Sequence, residues 1–370
     1  MHYICTLYFF GNTINNTSQM KKKIYIIICS ILLLCPGIIT AQSQADNSVV
    51  STANAEYVQL KKLISEQGYS KEVAAAAKSL LKSATKTGSS QLRIAALEVI
   101  FASQLNKIKT LKDALKDKEI EYRNAALRFA SDYADKAMYT ELLKSLPKAG
   151  NEQKTEVLNW IVLEAQSKEK REILKTVETA IEKTGVQTLI QLLGTPDYNV
   201  KKAATSALCG IGEKEAIPAL ADLLRSEDAQ ITLLAKEALT SFEGNVPLHV
   251  VKILSQASDE GKKAALEILS IRKANAYFNA VLEQTKSESP QVKVAAYEAL
   301  KNVVSEKDFI VLCGMLETSE PSYILSLQQA VASSISSLEP EKREEMINNR
   351  MLQAGDSKAH LYYPILTSID

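Results

Sequence analysis

The stretch that decides the fold is Asn199–Asp228, which reads NVKKAATSALCGIGEKEAIPALADLLRSED. Its first half places apolar residues three or four positions apart, and this spacing puts them on one face of an α-helix. A second amphipathic stretch follows at Ile217–Leu224 after a short polar segment. The pattern predicts two helices joined by a turn. The apolar face of the first of these helices contains Val200, Ala203, Ala204, Ala207, Leu208 and Ile211.

The same pattern recurs along the chain. Matched positions in neighbouring copies are mostly 30 or 31 residues apart. A single helix pair cannot bury its whole apolar face, so stacked neighbours must complete the core. Alanine pairs let the backbones approach closely while Leu and Ile fill the gaps. Clear copies begin at Gln91, Glu121, Gln230, Glu260 and Gln291, and weaker ones at Glu152 and Ser322.

Helix starts are marked by short oxygen-bearing side chains and by proline. Such side chains cap the free N–H groups of a first turn, and proline at the first helical position costs no hydrogen bond. Gly212 follows the helix and is expected to cap it in the left-handed conformation. The expected N-caps are Ser89, Glu119, Asp197, Asp228, Ser258 and Ser289, with Pro290 and Pro321 at or near the first helical position.

Two motifs resemble HEAT repeats of the kind found in bacterial scaffolds and phycobilin-lyase-like proteins. They are A-(I/V)-P-A-L-x-x-L-L at Ala216–Leu224 and V-K-x-A-A-x-x-A-L-x-x-I-G at Val200–Gly212. The resemblance implies an all-α fold, a right-handed α-α superhelix of about eight helix pairs, over residues 57–370. It also implies that the second helix of each pair lines a concave face, where partners usually bind.

Two irregularities interrupt the repeat. About 16 extra residues lie between the copies at Glu152 and Asn199, and the surplus at 167–183 has the pattern of an amphipathic helix. At the other end, LYYPILTSID occupies an incomplete final repeat. Its apolar side chains would leave an open face there, which suggests a fragment or a lost downstream domain.

The N-terminal region predicts export. Three lysines after Met20 precede an apolar run of about ten residues and a small-residue site ending at Ala41. This is the pattern of a secretory signal peptide, and the run is too short to span a bilayer, which takes about 20 residues. Residues 1–41 are therefore predicted to be a signal peptide, with Met20 the true start, and 42–56 a linker. A periplasmic or secreted location follows, and no integral membrane span is expected in the mature chain.

Several functional classes lack support in the sequence. Loss of three signal lysines from 44 basic residues leaves 41 against 43 acidic residues, so no basic excess favours nucleic acid. His249 and His360 have no ligand-spaced neighbour, and no nucleophile motif or phosphate loop is present. Cys209 and Cys313 are expected to be buried apolar residues rather than a disulfide. No cofactor, metal site or catalytic residue is predicted.

Aligning the copies produces two rows of polar residues on the second helices. Near the helix start the row is basic: Arg93, Arg123, Lys154, Lys201, Lys262 and Lys293. Either these bind an anion or they form a ladder of ion pairs between repeats, which we favour. Five residues further on, the second row is Glu98, Arg128, Asn159, Ser206, Glu237, Glu267, Glu298 and Gln329. Rows of opposite sign cancel at distance, which argues against a nucleic-acid groove.

The aligned positions also provide a candidate partner-binding set. Trp160 matches a buried alanine and is expected in the core, whereas Tyr297 matches polar residues and is expected to be exposed as an anchor. The set on the implied concave face is Arg123, Arg128, Lys154, Asn159, Lys201, Lys236, Glu237, Lys262, Glu267, Lys293, Tyr297 and Glu298.

These observations favour a non-enzymatic extracytoplasmic scaffold that binds another protein. The alternative is the accessory HEAT region of a carbohydrate-active enzyme whose catalytic domain lies downstream. Neither the partner nor the oligomeric state is specified by the sequence.

Overall fold

The structure is a computed structural model that describes residues 44–181 and 183–367. The predicted signal peptide, 1–41, lies outside the described residues, and so do Cys5, Cys29 and Cys35.

Helices make up almost all of the described chain, which confirms the all-α fold class. The helices in chain order are α1 Gln44–Gln67, α2 Lys71–Thr87, α3 Ser90–Ala102, α4 Lys107–Ala114, α5 Ile120–Ser131, α6 Lys136–Ser145, α7 Asn151–Glu164, α8 Lys168–Lys175, α9 Gly185–Leu192, α10 Tyr198–Ile211, α11 Ile217–Asp222, α12 Ala229–Ser241, α13 Val246–Leu254, α14 Asp259–Ile271, α15 Phe278–Gln284, α16 Pro290–Val303, α17 Phe309–Thr318, α18 Ile324–Ser334, α19 Pro340–Ala354, α20 Asp356–Ala359 and α21 Tyr363–Leu366. The strands are β1 Glu178–Ala180 and β2 Lys183–Thr184, which pair antiparallel.

The chain divides into two compact units between Tyr133 and Ala134, whereas the repeat pattern predicted one array over 57–370. In unit 1 the described helices form the pairs α2–α3 and α4–α5, preceded by α1. Unit 2 contains the pairs α6–α7, α9–α10, α11–α12, α13–α14, α15–α16 and α17–α18. The described residues therefore contain eight helix pairs, as predicted.

Unit 2 is built from two layers of helices. The second helices α7, α10, α12, α14, α16 and α18 each contact the next in line, and we call this the second-helix layer. The first helices α6, α9, α11, α13, α15 and α17 form the first-helix layer behind it. The alanine pairs are buried between neighbours, as at Ala203 and Ala204 and again at Ala264 and Ala265. This close contact of small residues is the packing that the repeat predicted.

Unit 1 has an apolar core of its own. The core residues come from α1, α2 and α3, and all of them are almost inaccessible to solvent. They are Leu60, Val73, Ala77, Leu80, Ala96, Val99 and Ile100.

The predicted helix ends are largely confirmed. Side-chain oxygens at Ser89, Asp197, Asp228 and Ser258 accept hydrogen bonds from backbone N–H groups of the first turn. Gly212 ends α10 in the left-handed conformation, with φ of 75°. Glu119 and Ser289 occupy N-cap positions without making that bond, and Pro290 begins α16.

The predicted linker is wrong from residue 44 onward. Residues 44–56 form the first half of α1, where Ala53 is buried. Their Asn, Asp and Ser content made them weak helix formers in isolation, but packing of α1 on α2 outweighs that local preference.

The surplus segment is only partly helical. Helix α8 ends at Lys175, and the chain then turns through a short hairpin whose tip, Ile181, is almost fully exposed. Val177 and Thr179 are buried on its inner side. The β-branched residues alternate here at a period of two, which favours a strand over a helix.

The last described residues cover part of the apolar face that the sequence predicted to be open, although Tyr363 remains 55% exposed. Tyr362 and Ile365 are buried, and the Tyr362 hydroxyl donates to Glu317. Arg350 on α19 holds the same carboxylate through two nitrogens, each 2.9 Å from an oxygen. Gln328 on α18 also donates to the Leu361 carbonyl at 2.7 Å. These contacts fix the last short helices against α17 and α18.

Candidate functional site

In unit 1 the basic row is part of the interior. Arg93 on α3 is buried, pairs with Asp117 and Glu119 in the loop before α5, and lies 4.1 Å over the ring of Tyr122. The pairing joins one repeat to the next, so the ion-pair interpretation is confirmed at Arg93. Burial is also the first cause that raises the pKa of the Tyr122 hydroxyl, to about 12.

Arg123 is wrong as a partner-binding residue. Its side chain is buried, and Nη1 donates to the Asp117 carbonyl at 2.7 Å. Arg128, on the same helix, is exposed and lies 5.1 Å from the ring centre of Phe129. Of the two unit 1 residues in the predicted set, only Arg128 reaches the surface.

In unit 2 the basic row is half-buried and does not form the ion-pair ladder. Lys154, Lys201 and Lys293 have no ion-pair partner within 44–181 and 183–367. Lys262 lies 3.9 Å from Asp259, three residues earlier on its own helix. The ion-pair interpretation therefore fails for these lysines.

The second row is the one that links successive helices of unit 2 while remaining exposed. Lys236 Nζ on α12 lies 2.7 Å from Glu267 Oε2 on α14. Glu298 on α16 accepts from Ser326 on α18 at 2.6 Å and from Lys301 at 2.9 Å. The Ser326 hydrogen bond, followed by the one from Lys301, lowers the pKa of Glu298. Other exposed members of the row in unit 2 are Asn159, Glu237 and Gln329.

The two aromatic residues behave differently from each other. Trp160 is buried beside Tyr139, with ring centres 5.5 Å apart, so the core prediction is confirmed. Tyr297 is buried as well, stacked on Tyr323 with ring centres 4.0 Å apart. The exposed-anchor prediction for Tyr297 is wrong because Tyr323, in the turn before α18, covers its ring.

An apolar row on the second-helix layer was missed from the sequence. Leu233 is 49% exposed, Val294 50% and Leu325 66%, and each lies four residues before a member of the second row. One helical turn separates such positions, so the two rows share a face. The signal was present in the sequence, since Leu233, Lys263, Val294 and Leu325 follow the same 30- or 31-residue spacing.

A buried polar network anchors the irregular segment. Glu164 at the end of α7 accepts from the Tyr139 hydroxyl at 2.6 Å and pairs with Lys170 on α8 at 2.7 Å. Burial, then the hydrogen bond to Glu164, raises the pKa of Tyr139. The network ties α6, α7 and α8 together.

The remaining reactive side chains are poorly placed for chemistry. Burial raises the pKa of the thiols of Cys209 and Cys313 to about 11, which leaves both protonated near neutral pH. Neither forms a disulfide. Burial also lowers the pKa of His249. Across 44–181 and 183–367, no group of three or more His, Cys, Asp or Glu side chains is arranged to hold a metal ion.

Within the described ranges, every helix is too short or too polar to cross a membrane.

Helix pairs that repeat every 30 or 31 residues and stack on their neighbours define an α-solenoid. Residues 155–240 match the model of the family described as HEAT repeats. The same helix pair continues on both sides of that stretch, so the described residues form a helical repeat architecture similar to that of HEAT repeats.

Other similarities are more distant. A protein of Pseudanabaena tenuis (strain PCC 7409), named uncharacterized phycocyanin operon protein Z, is 25% identical over 172 residues, which are 46% of this chain and 73% of that protein. An engineered protein of known crystal structure is 20% identical, with a TM-score of 0.37 over 85% of this chain and 88% of its own. Kap121p is 13% identical, with a TM-score of 0.37 over 88% of this chain and 38% of its own. Structural likeness at this level supports no statement about function.

Proposed function

We propose that this protein is a non-enzymatic extracytoplasmic HEAT-repeat scaffold that binds another protein through the second-helix layer of unit 2. The observation that carries the proposal is the pair of exposed rows, one apolar and one polar, repeated on successive helices. A surface that repeats in register along an array offers several matched contacts to one extended partner.

Within the second-helix layer, the exposed apolar and second rows are better suited to binding than the half-buried basic row is. Leu233, Val294 and Leu325 leave large apolar side chains in contact with water, and such side chains gain free energy when a partner covers them. The carboxylates of Glu237, Glu267 and Glu298 are exposed next to them. Protein interfaces combine apolar contacts with polar ones of this kind.

The balance of charge supports a protein partner over a nucleic acid. Lys236 and Glu267 pair with each other, as do Lys301 and Glu298, so the exposed second row carries no excess of positive charge. Binding to phosphates needs an excess of positive charge along the contact.

The extracytoplasmic location is proposed from the sequence between Met20 and Ala41, which has the form of a secretory signal peptide. Fractionation of producing cells and N-terminal sequencing test it. A mature chain that begins at Gln42 in the envelope or medium supports export, and an intact N-terminus in the cytoplasm contradicts it.

Site-specific photo-cross-linking in producing cells tests the proposal. A photoreactive residue replaces Glu237 on α12 or, as a matched control, Glu283 on α15 of the first-helix layer; both are exposed. We expect a discrete cross-linked protein from position 237 that is absent from position 283. Identical products from both positions, or none from position 237, would contradict binding through this layer.

A further inference from the structure

The two rows on the second-helix layer form one patterned surface. The apolar row contains Leu233, Val294 and Leu325, and the acidic row contains Glu237, Glu267 and Glu298. We call the two rows together the mixed face. Four residues along a helix correspond to a rise of about 6 Å, and packed helices lie about 8–10 Å apart. The rows therefore run side by side across the helices.

In the ion pairs of the mixed face, the glutamate side chain is more exposed to solvent than its lysine partner. In the pair between α12 and α14, Glu267 is 49% exposed and Lys236 only 29%. In the pair within α16, Glu298 is 51% exposed and Lys301 36%. The carboxylates thus extend further outward than the lysines, so an approaching partner meets negative charge first.

On α14, Lys263 occupies the position that the apolar row has on the other helices, but its side chain is less exposed than those of Leu233, Val294 and Leu325. It is 30% exposed, is held by Glu260 at 3.1 Å and also donates to Gln291 at 3.3 Å. Like Glu267 and Glu298, it is already paired within the protein, but its side chain is less exposed than either carboxylate. The carboxylates therefore remain the most exposed charged groups of these pairs.

We infer that the mixed face binds a cationic amphipathic segment of a partner protein. Apolar side chains of that segment cover the apolar row, and its Lys or Arg side chains meet the acidic row. A purely apolar segment would desolvate the carboxylates without pairing them, which is costly, and an acidic one would be repelled. A purely basic one would leave Leu325 and its row in water. This inference rests on the proposed function and specifies the chemistry of its partner.

Three synthetic peptides of equal length test the inference by fluorescence anisotropy with the purified protein. One combines Leu and Lys in an amphipathic pattern, the second replaces every Lys with Glu, and the third replaces every Leu with Ser. We expect the Leu/Lys peptide to bind and to weaken as salt rises, since exposed charge pairs are screened. The other two should bind at least tenfold more weakly.

Matched variants locate the binding. The triple change Glu237→Gln, Glu267→Gln and Glu298→Gln should weaken the Leu/Lys peptide by about tenfold and flatten its salt dependence. Glu283→Gln is the control, because Glu283 and Lys286 form a comparable pair at 2.9 Å in the first-helix layer. Leu325→Ser should weaken binding, while Ile310→Ser, 61% exposed on α17, should leave it unchanged.

Charge reversal provides a gain of function that poor folding cannot mimic. Changing the three glutamates to lysine should transfer binding from the Leu/Lys peptide to the Leu/Glu peptide. Circular dichroism confirms that each variant is folded, and Glu237→Gln alone serves if the triple variants are not. The inference is overturned if the native protein does not prefer the Leu/Lys peptide, or if the glutamine and control variants bind it equally. If the peptide experiment fails in either way but the photoreactive residue at position 237 still forms a discrete cross-link, the cationic amphipathic partner is disproved and the proposed function stands.

Discussion

The two units join successive repeats by different means. In unit 1 the junction between α3 and α5 is ionic, because Arg93 is buried between Asp117, Glu119 and the Tyr122 ring. In unit 2 the matching position on α14 is Lys262, which is half-buried and lies 3.9 Å from Asp259 of its own helix. At this junction the preceding residue, Gly261, lets two backbone segments approach closely.

Gly261 shows how close that approach is. A Cβ atom at this position would overlap the carbonyl oxygen of Leu224, in the short turn that follows α11 of the preceding pair. Other copies have Val200 or Val292 at the same register. Because Gly261 allows this close packing, the junction does not need Lys262 in its interior. The same position of the repeat is therefore a buried ion-paired arginine in unit 1, Arg93, and a half-buried lysine in unit 2, Lys262.

The largest expected effect is that of Gly261→Ala. The overlapping atom is backbone, so relief requires α14 to shift, and we expect a loss of about 3 kcal/mol in the free energy of unfolding. Urea unfolding followed by circular dichroism measures it. Gly314→Ala on α17 is the control: no heavy atom of the described chain outside its own helix backbone lies within 4 Å of that Cβ. Since alanine favours helix, this control should gain about 0.5–1 kcal/mol. Equal effects would disprove the close-approach explanation.

The next effect tests the ionic junction. Arg93→Ala leaves Asp117 and Glu119 partly buried without their partner, and we expect a loss of about 2–3 kcal/mol. Lys262→Ala changes the same register in unit 2 and should cost less than about 0.5 kcal/mol. Hydrogen exchange should show faster opening of α3 and α5 in the first variant. If both substitutions cost the same, the contrast between the units does not hold.

The sequence predicted features that depend on residues near each other in the chain, and it did not predict features that depend on packing between helices. The spacing of Asn199–Asp228 was enough for the helix pairs, and Asp197 and Asp228 marked helix starts, because periodicity and capping involve neighbouring residues. The alternation that forms the hairpin near Val177 was also present but was shorter than the helical pattern beside it. Helix α1 could not be predicted from its own residues, since its stability comes from packing on α2.

The site was predicted less well than the fold. Aligned copies identified the exposed acidic row, but burial depends on which neighbour covers a side chain. Tyr297 matches polar residues in other copies, yet Tyr323 covers it. Arg123 shares a row with half-exposed lysines and is buried because the Asp117 carbonyl accepts from it. Such contacts lie outside the repeat pattern.

A smaller effect tests the polar link between α12 and α14. Both partners of the Lys236–Glu267 pair are accessible to water, so we expect a coupling energy of about 0.2–1 kcal/mol in favour of the folded state. A double-mutant cycle with Lys236→Ala and Glu267→Ala measures this energy by urea unfolding. It should shrink at high salt. A coupling energy near that of the Arg93 junction would mean that unit 2 also depends on ion pairs.

The smallest expected effect is a difference in pKa between two glutamates that occupy the same position of the second row, one in each unit. Glu98 in unit 1 and Glu298 in unit 2 occupy matched positions, yet burial raises the pKa of Glu98, whereas the Ser326 hydrogen bond lowers that of Glu298. NMR titration of the glutamate carboxyl carbons should show Glu98 titrating at higher pH than Glu298. Ser326→Ala should raise the pKa of Glu298 and leave Glu98 unchanged.

The two shifts have opposite consequences for stability. A lowered pKa in the folded state means that Glu298 stabilises the fold above the pKa of the unfolded chain and loses this contribution as the pH falls through the acid range. A raised pKa means that Glu98 is tolerated best while protonated, and its contribution is lost as the pH rises through its titration. Glu298→Gln should therefore reduce the loss of stability as the pH falls through the acid range, and Glu98→Gln should reduce the loss of stability as the pH rises through the titration of Glu98. If both variants changed the pH dependence of unfolding in the same direction, the second row would have one environment in both units, and the contrast between buried support and exposed surface would fail at this register.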